Sequence, residues 1–302
     1  MPKPKRRLRN PGPSWGYRFL AWASQDWPGW LYRPSLKLGV WVAVCLMPRQ
    51  RKYSRDYLQV VLRRPVGWRD CFCHFLALTD ALVYKLEFAQ RPSTSAFQLS
   101  TRGHSASFQT LLESPRPALF GTFHIGHSDL IGCLLADFGR RIRMVRERVG
   151  NAYDLKVLGD LFGESVEFVW INEGESMLFA LKSVVDDGVS VALQCDREEH
   201  GSRHRVFDFL GSRRRFPVTI YHLAFLFEMP VVFSFGVPVA DGMNEIFCSE
   251  TFEPRGDSKR EVLKAGYDHF QGVLKMLEEV LHEHPYAWFN FLPLNSEQGD
   301  VT

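Results

Sequence analysis

The sequence predicts an α/β fold with a mixed, mostly parallel central sheet flanked by helices. Three observations carry this expectation. From Ala118 onward, short apolar runs alternate with segments of helical pattern, the order that builds parallel sheets. The region before residue 90 reads as helical. The chain of 302 residues is 45% hydrophobic and 24% charged, with no internal repeat and no long linker. It therefore reads as one structural unit with a sizeable core, made of a helical N-terminal segment (residues 1–90) packed on an α/β domain (residues 91–302).

Taken in order, the chain opens with a basic stretch, Lys3, Lys5, Arg6, Arg7 and Arg9, and continues with Trp15, Trp22, Trp27, Trp30 and Trp41, five of its eight tryptophans. Tryptophan beside basic residues favours the headgroup level of a bilayer. The longest apolar run, Leu38 to Met47, falls well short of the ~18–20 residues that a span needs. Pro11, Pro13, Arg18 and Asp26 interrupt the place where the apolar core of a secretion signal would lie. The expectation is a monotopic anchor; an ordinary amphipathic helix packed on the core is the alternative. Helices are predicted at Ser54–Arg63 and Trp68–Phe88, broken by Pro65 and Gly67. The Ser/Thr-rich stretch from Arg91 to Ser107 reads as a loop.

Predicted strands then cover Ala118–Phe123, Arg141–Arg146, Val166–Ile171, Val189–Cys195, Arg205–Phe209, Val231–Val237 and Glu245–Phe252. Predicted helices cover Ser128–Phe138, Ala152–Leu161, Glu175–Asp186, Val218–Glu228 and Ser258–Glu283. The last strands follow one another without a helix between them, so one sheet edge is expected to be antiparallel.

Net charge is only +3, but a second basic region runs from Arg49 to Arg69. An anionic membrane surface or nucleic acid would suit it equally by charge. The six cysteines lack zinc spacing and read as reduced, mostly buried thiols in a cytoplasmic setting.

The chemistry centres on the residues after the first predicted strand. His124 stands at the strand end, and Asp129 five residues on stands at a helix start. A carboxylate in that position can hold an imidazole in one tautomer and steady its protonated form, which makes a general-base pair. Ligands in such sheets bind at the carboxyl ends of strands. Arg146 and Arg148 end the second predicted strand, and Asp196 and Arg197 follow the fourth. Arginines converging there would suit an anionic substrate such as a phosphate group. Gly211 to Pro217 reads as an arginine-rich turn, with Pro217 opening a helix whose N-terminus could serve the same substrate. Two other chemistries compete. Gly126-His127-Ser128-Asp129-Leu130 resembles a hydrolase nucleophile elbow, but Leu130 occupies the second glycine position. His104, His124, His127, His200 and His204 lack metal-site spacing.

Together the blocks resemble the lysophospholipid acyltransferase superfamily, in particular its branch of bacterial lipid A lauroyl and myristoyl acyltransferases. His124 to Asp129 matches the His-x-x-x-x-Asp/Glu hallmark. Arg143 to Ala152 is similar to the second block, and Gln194-Cys195-Asp196-Arg197 to the third. Phe209-Leu210-Gly211, Phe216-Pro217, Leu223-Ala224 and Pro230-Val231-Val232 fit the next. His284 to Phe291 resembles the closing motif, and is similar to the sub-branch found in aryl polyene and polyketide-type lipid clusters. The chain departs from the lipid A enzymes at Asp129, where they commonly carry Glu, and at Leu161 to Glu164, where they carry an arginine; the acceptor is therefore left open.

The resemblance implies a glycerol-phosphate-acyltransferase-like fold. It also implies transfer of a fatty-acyl or polyene-acyl chain from acyl carrier protein or acyl-CoA to a hydroxyl or amine of a lipid acceptor. His124 would be the base and Asp129 its partner, with Arg146, Arg148, Asp196, Arg197, Gly211 and Pro217 around the substrate. No cofactor, metal or nucleic acid is called for. The place of action would be the cytoplasmic face of the inner membrane, reached peripherally or monotopically. A lipid hydrolase or thioesterase, or an inactive lipid-binding relative, are the other readings.

Overall fold

The computed structural model describes residues 14–90, 95, 97–100, 102–146, 166–170, 177–197, 203–239 and 242–293. Four helices come first: α1 (Ser14–Asp26), α2 (Gly29–Leu46), α3 (Pro48–Leu62) and α4 (Trp68–Gln90). Prolines set their borders. Pro28 precedes α2 in an extended conformation, and Pro48 opens α3 at the first helical position, where a missing N–H costs nothing. The helix expected from Ser54 therefore starts six residues earlier. Between α3 and α4, Asp70 accepts from the Gly67 N–H at 2.9 Å, from the Arg64 guanidinium and from the Tyr286 hydroxyl at 3.1 Å. This carboxylate both starts α4 and ties it to the end of the chain. The hydrogen bonds from Arg64 hold its pKa well below the usual carboxylate range, against the effect of burial.

The central sheet has seven strands in the order β1-β9-β8-β2-β5-β3-β4. They are β1 (Phe97–Leu99), β2 (Leu119–Thr122), β3 (Ile142–Arg146), β4 (Val166–Trp170), β5 (Ser190–Gln194), β8 (Val231–Pro238) and β9 (Asn244–Cys248). From β8 to β4 all pairings are parallel, whereas β9 runs antiparallel to β8. The mostly parallel sheet with an antiparallel edge is as expected. Strand β1, parallel to β9, and helix α5 (Ser105–Glu113) lie wholly or partly in the stretch read as a loop; a three-residue edge strand is too short to show a period. Helices α6 (Ile131–Asp137), α7 (Met177–Asp186), α8 (Thr219–Phe227) and α9 (Lys259–Glu283) complete the domain. The helix expected at Ala152–Leu161, and Arg148, lie outside the described residues.

Both faces of the sheet are buried. Leu119 and Phe123 face one core with Phe233, Phe270 and Leu277, while Ala118 and Phe120 face another with Phe108 and Leu130. The strand expected at Arg205–Phe209 is not in the central sheet. It is β6 (His204–Phe209), paired antiparallel with β7 (Ser212–Pro217) in a separate hairpin. Gly211 to Pro217 is thus mostly strand and not turn. Leu210 and Gly211 alone make the turn, with φ of 50° and 69°, the paired positive values of a two-residue hairpin. In β7, Arg214 and Phe216 are buried while Arg213 and Arg215 are exposed; an arginine at an inward position hid the alternation.

His74 of α4 is fully buried. One ring nitrogen, Nε2, is 2.8 Å from the Trp288 carbonyl and so donates to it; Nδ1, 2.9 Å away, then accepts from the Ser54 hydroxyl. Burial favours the neutral ring and lowers its pKa from 6.5 to about 4, against the bond to Trp288. Between those values the unfolded chain binds the proton and the folded one does not, so stability falls as pH drops from 6.5 to about 4. The loss from this residue amounts to about 3 kcal/mol. Urea denaturation of the wild type and His74→Gln across this range should show a shallower pH slope in the variant. Parallel slopes would remove His74 as the titrating group.

Candidate active site

The chain leaves β2 at Thr122 and turns sharply between His124 and Ser128. The turn needs Gly126, whose φ is +48° and whose missing Cβ would lie 2.3 Å from the Gly236 carbonyl oxygen. Backbone bonds pin the loop on two sides. His127 N–H donates to Gly236 O of β8 at 2.9 Å, Gly126 N–H to Ala287 O at 2.8 Å, and Phe289 N–H to His124 O at 2.7 Å. The Ser128 hydroxyl is buried, donating to Ile125 O at 2.6 Å and accepting from Gly236 N–H at 3.2 Å. Both its roles are structural, which is a poor starting point for a nucleophile.

His124 lies next to Asp196. Thr122 and Gln194 are paired across β2 and β5, and Cys195 N–H donates to Thr122 O at 2.8 Å. Carried one step further, this register sets His124 beside Asp196. His124 Nδ1 is 2.7 Å from Asp196 Oδ1, and the His124 backbone N–H reaches Oδ2 at 2.9 Å. The indole Nε1–H of Trp288 donates to Oδ2, also at 2.9 Å. The Asp196 side chain is 0% exposed and that of His124 21%. Burial alone would raise the Asp196 pKa; the adjacent His124, Arg197 and the Trp288 indole outweigh it and hold the group down at about 2. An ionised carboxylate on Nδ1 requires the proton there, so Nε2 of the ring is the basic nitrogen.

The carboxylate expected on the imidazole was Asp129. In the structure the Nδ1 partner is Asp196, expected to touch substrate, and Asp129 has other partners. Lys85 Nζ of α4 is 2.8 Å from its Oδ2, and Gln194 Nε2 donates to Oδ1 at 3.0 Å. Gln194 and Asp196 are two residues apart, so they project to the same side and hold Asp129 and His124 respectively. The physical reason is reach: a 3₁₀ turn (Ser128–Leu130) carries Asp129 toward α4, whereas the neighbouring strand end presents Asp196 directly.

The other expected residues are placed as follows. Arg146 ends β3, two strands from β2 and, because β2, β5 and β3 are parallel, at the same sheet edge as His124. Arg197 donates from Nη2 to Phe289 O at 3.1 Å, which braces the closing segment. Gly211 makes the hairpin turn and Pro217 pairs with His204; no hydrogen bond among the described residues joins either to His124. Sequence reasoning missed Lys85, Gln194 and Trp288 as site residues. Gln194 lies in the third block and Trp288 in the closing one, but nothing in their spacing tells that the Gln194 amide reaches Asp129 or that the Trp288 indole reaches Asp196. Among the described residues no group of three His, Cys, Asp or Glu is placed to hold a metal ion.

No protein-family model matches the chain, and no curated protein sequence matches it. Among solved structures the chain is similar to the 1-acyl-sn-glycerophosphate (LPA) acyltransferase PlsC from Thermotoga maritima. The identity is 15% and the TM-score 0.38, over 80% of this chain and 95% of that one.

The two carboxylates should differ sharply in what they hold together. Asp196→Ala leaves three donors, the His124 ring, the His124 backbone N–H and the Trp288 indole, without their acceptor and should cost about 3–5 kcal/mol. Asp129→Ala breaks a partly exposed pair and should cost about 1 kcal/mol. Urea denaturation at neutral pH measures both, and the reverse order would reassign the buried partner of His124.

Proposed function

We propose that this chain transfers an acyl group from a thioester to a hydroxyl or amine of a lipid acceptor, with His124 as general base. The observation that carries the proposal is the pairing of His124 Nδ1 with a fully buried, ionised Asp196, which leaves Nε2 as the basic nitrogen of a partly exposed ring. The resemblance of the sequence blocks supplies the substrate class. In the proposed reaction Nε2 takes the proton from the acceptor as its oxygen or nitrogen attacks the thioester carbonyl. The tetrahedral intermediate collapses with cleavage of the C–S bond, and the departing thiolate recovers the proton from the imidazolium. The products are an ester or amide and a free thiol. Asp196 orients the ring and steadies its charge. Arg146 and Arg197, at the same sheet edge, are proposed to bind phosphate on donor or acceptor. General-base help contributes roughly 10²–10⁴ in rate.

The N-terminal layer supports a place on the membrane surface. In α2, Tyr32, Leu36, Val40 and Val44 are buried on one side, yet Trp30 is 77% and Leu46 75% exposed, with Leu38 and Trp41 also exposed. A helix apolar on both sides wants an apolar surrounding. None of the described helices is long and apolar enough to cross a membrane, so α1 and α2 are proposed to lie on the cytoplasmic surface of the inner membrane.

Two experiments test these points. Purified protein supplied with an acyl thioester, as acyl carrier protein or CoA, and a lipid extract should form acylated lipid detectable by mass spectrometry. His124→Ala should lower that rate by about 10² or more, and Asp196→Asn should lower it strongly. An undiminished rate in His124→Ala would sink the proposal, and release of free fatty acid alone would favour a hydrolase. Separately, Trp30→Ala with Trp41→Ala should weaken flotation with anionic vesicles by about a hundredfold or more, since each ring loses on the order of 1.5–3 kcal/mol of burial. Unchanged flotation would take the membrane face away from α2.

A further inference from the structure

The β6–β7 hairpin stands apart from the central sheet and carries an unusual charge. Residues 203–217 contain five arginines and a single acidic residue, Asp208. Arg203, Arg205, Arg213 and Arg215 are exposed. Arg214 points inward, where its Nε donates to Phe209 O at 2.9 Å. None of the four exposed arginines is in an ion pair among the described residues, although Asp208 faces Arg213 in the strand register. Four arginines elsewhere are matched by carboxylates, Arg33 by Asp80, Arg64 by Asp70, Arg102 by Glu283 and Arg116 by Glu253; what sets the hairpin apart is that its four stand within thirteen residues of chain. An open cavity of about 330 Å³ lies at the hairpin tip, where Arg213 and Lys275 of α9 face Asp208 and Glu278, so the excess positive charge lies on the outer face of the hairpin and not in this cavity. Such a concentration of unmatched guanidinium groups repels itself in the isolated protein and is relieved by an anionic partner.

Resting on the acyl-transfer reading, we propose that the outer face of this hairpin is the docking surface for an acidic carrier protein that delivers the acyl thioester. Two observations favour a protein over the bilayer. The exposed tryptophans among the described residues lie on α1, α2 and the start of α4, none on the hairpin, which packs on α9 through Phe207 and Phe216 and whose one exposed large apolar residue is Val206. A bilayer-binding loop needs apolar side chains beside its cations. The hairpin also adjoins the site. Phe209 packs edge-on against Trp288 at 5.5 Å, and Trp288 is the residue whose indole holds Asp196. A carrier seated on the hairpin would thus sit beside the wall of the site, with its thioester on a flexible arm.

The test uses the full chain and a purified bacterial acyl carrier protein in its acylated form. Binding is followed by calorimetry in low and moderate salt, for the wild type and for Arg213→Glu combined with Arg215→Glu. Both positions are exposed, so the variant should fold; circular dichroism checks this. The expected result is binding that weakens with salt and falls about tenfold or more in the variant. Flotation with anionic vesicles should be unchanged, and so should transfer from acyl-CoA. No binding by the wild type, or equal binding by both proteins, would overturn the docking surface. Loss of vesicle flotation in the variant would also overturn it and assign the hairpin to the membrane. Carrier binding without any acyl transfer would keep the docking surface and refute the enzymatic reading instead.

Discussion

The arrangement depends on one buried negative charge. Asp196 is wholly removed from water, yet three donors reach it: the His124 ring, the His124 backbone and the Trp288 indole. A carboxylate so placed is tolerable only while those donors remain, because an unmatched buried charge costs several kcal/mol. The donors come from the loop after β2 and from the segment after α9, while the acceptor comes from the end of β5. The charge therefore fixes three remote stretches of chain against each other and presents the imidazole in one orientation.

The helical layer at the N-terminus is tied to the same point. The Trp288 carbonyl accepts from His74 of α4, and His74 in turn accepts from Ser54 of α3. Farther along α4, Tyr84 stacks on His127 at 4.2 Å and binds Asn244, and Lys85 reaches Asp129. One helix thus touches the loop, the strand edge and the closing segment at once. A surface that positions α2 on a bilayer would orient the site through α4, since α2 packs along that helix with Val44 against Phe75.

How much of this was legible in the sequence varied with the range of the interaction. The strand at Ala118–Phe123 and the parallel sheet were legible because both faces of β2 are apolar. The antiparallel edge was legible from strands joined without helices. In the hairpin β6 was legible and β7 was not, because Arg214 occupies an inward position that the pattern reserves for an apolar residue. His124 and Asp196 were both picked out, each as a polar residue at a strand end. Their pairing was not, because it follows from β2 and β5 lying side by side in register, and strand order is a property of the whole chain. Lys85 lies 44 residues from its partner Asp129 and Trp288 lies 92 from Asp196; no local spacing marks either contact.

That difference of range decides how the two carboxylates divide their work. Asp129 is close to His124 in sequence, but its side chain is 29% exposed and faces the Lys85 ammonium. A carboxylate already matched by a cation and partly screened by water adds little to the basicity of a neighbouring imidazole. Asp196 is fully buried and lies 2.7 Å from Nδ1 of the ring, so its charge acts there at short range with little solvent between them. The ring can then accept a proton at Nε2 while Nδ1 keeps its own. Lys85 and Gln194 hold the Asp129 carboxylate on the partly exposed side of the loop, while Asp196 holds the ring nitrogen from within.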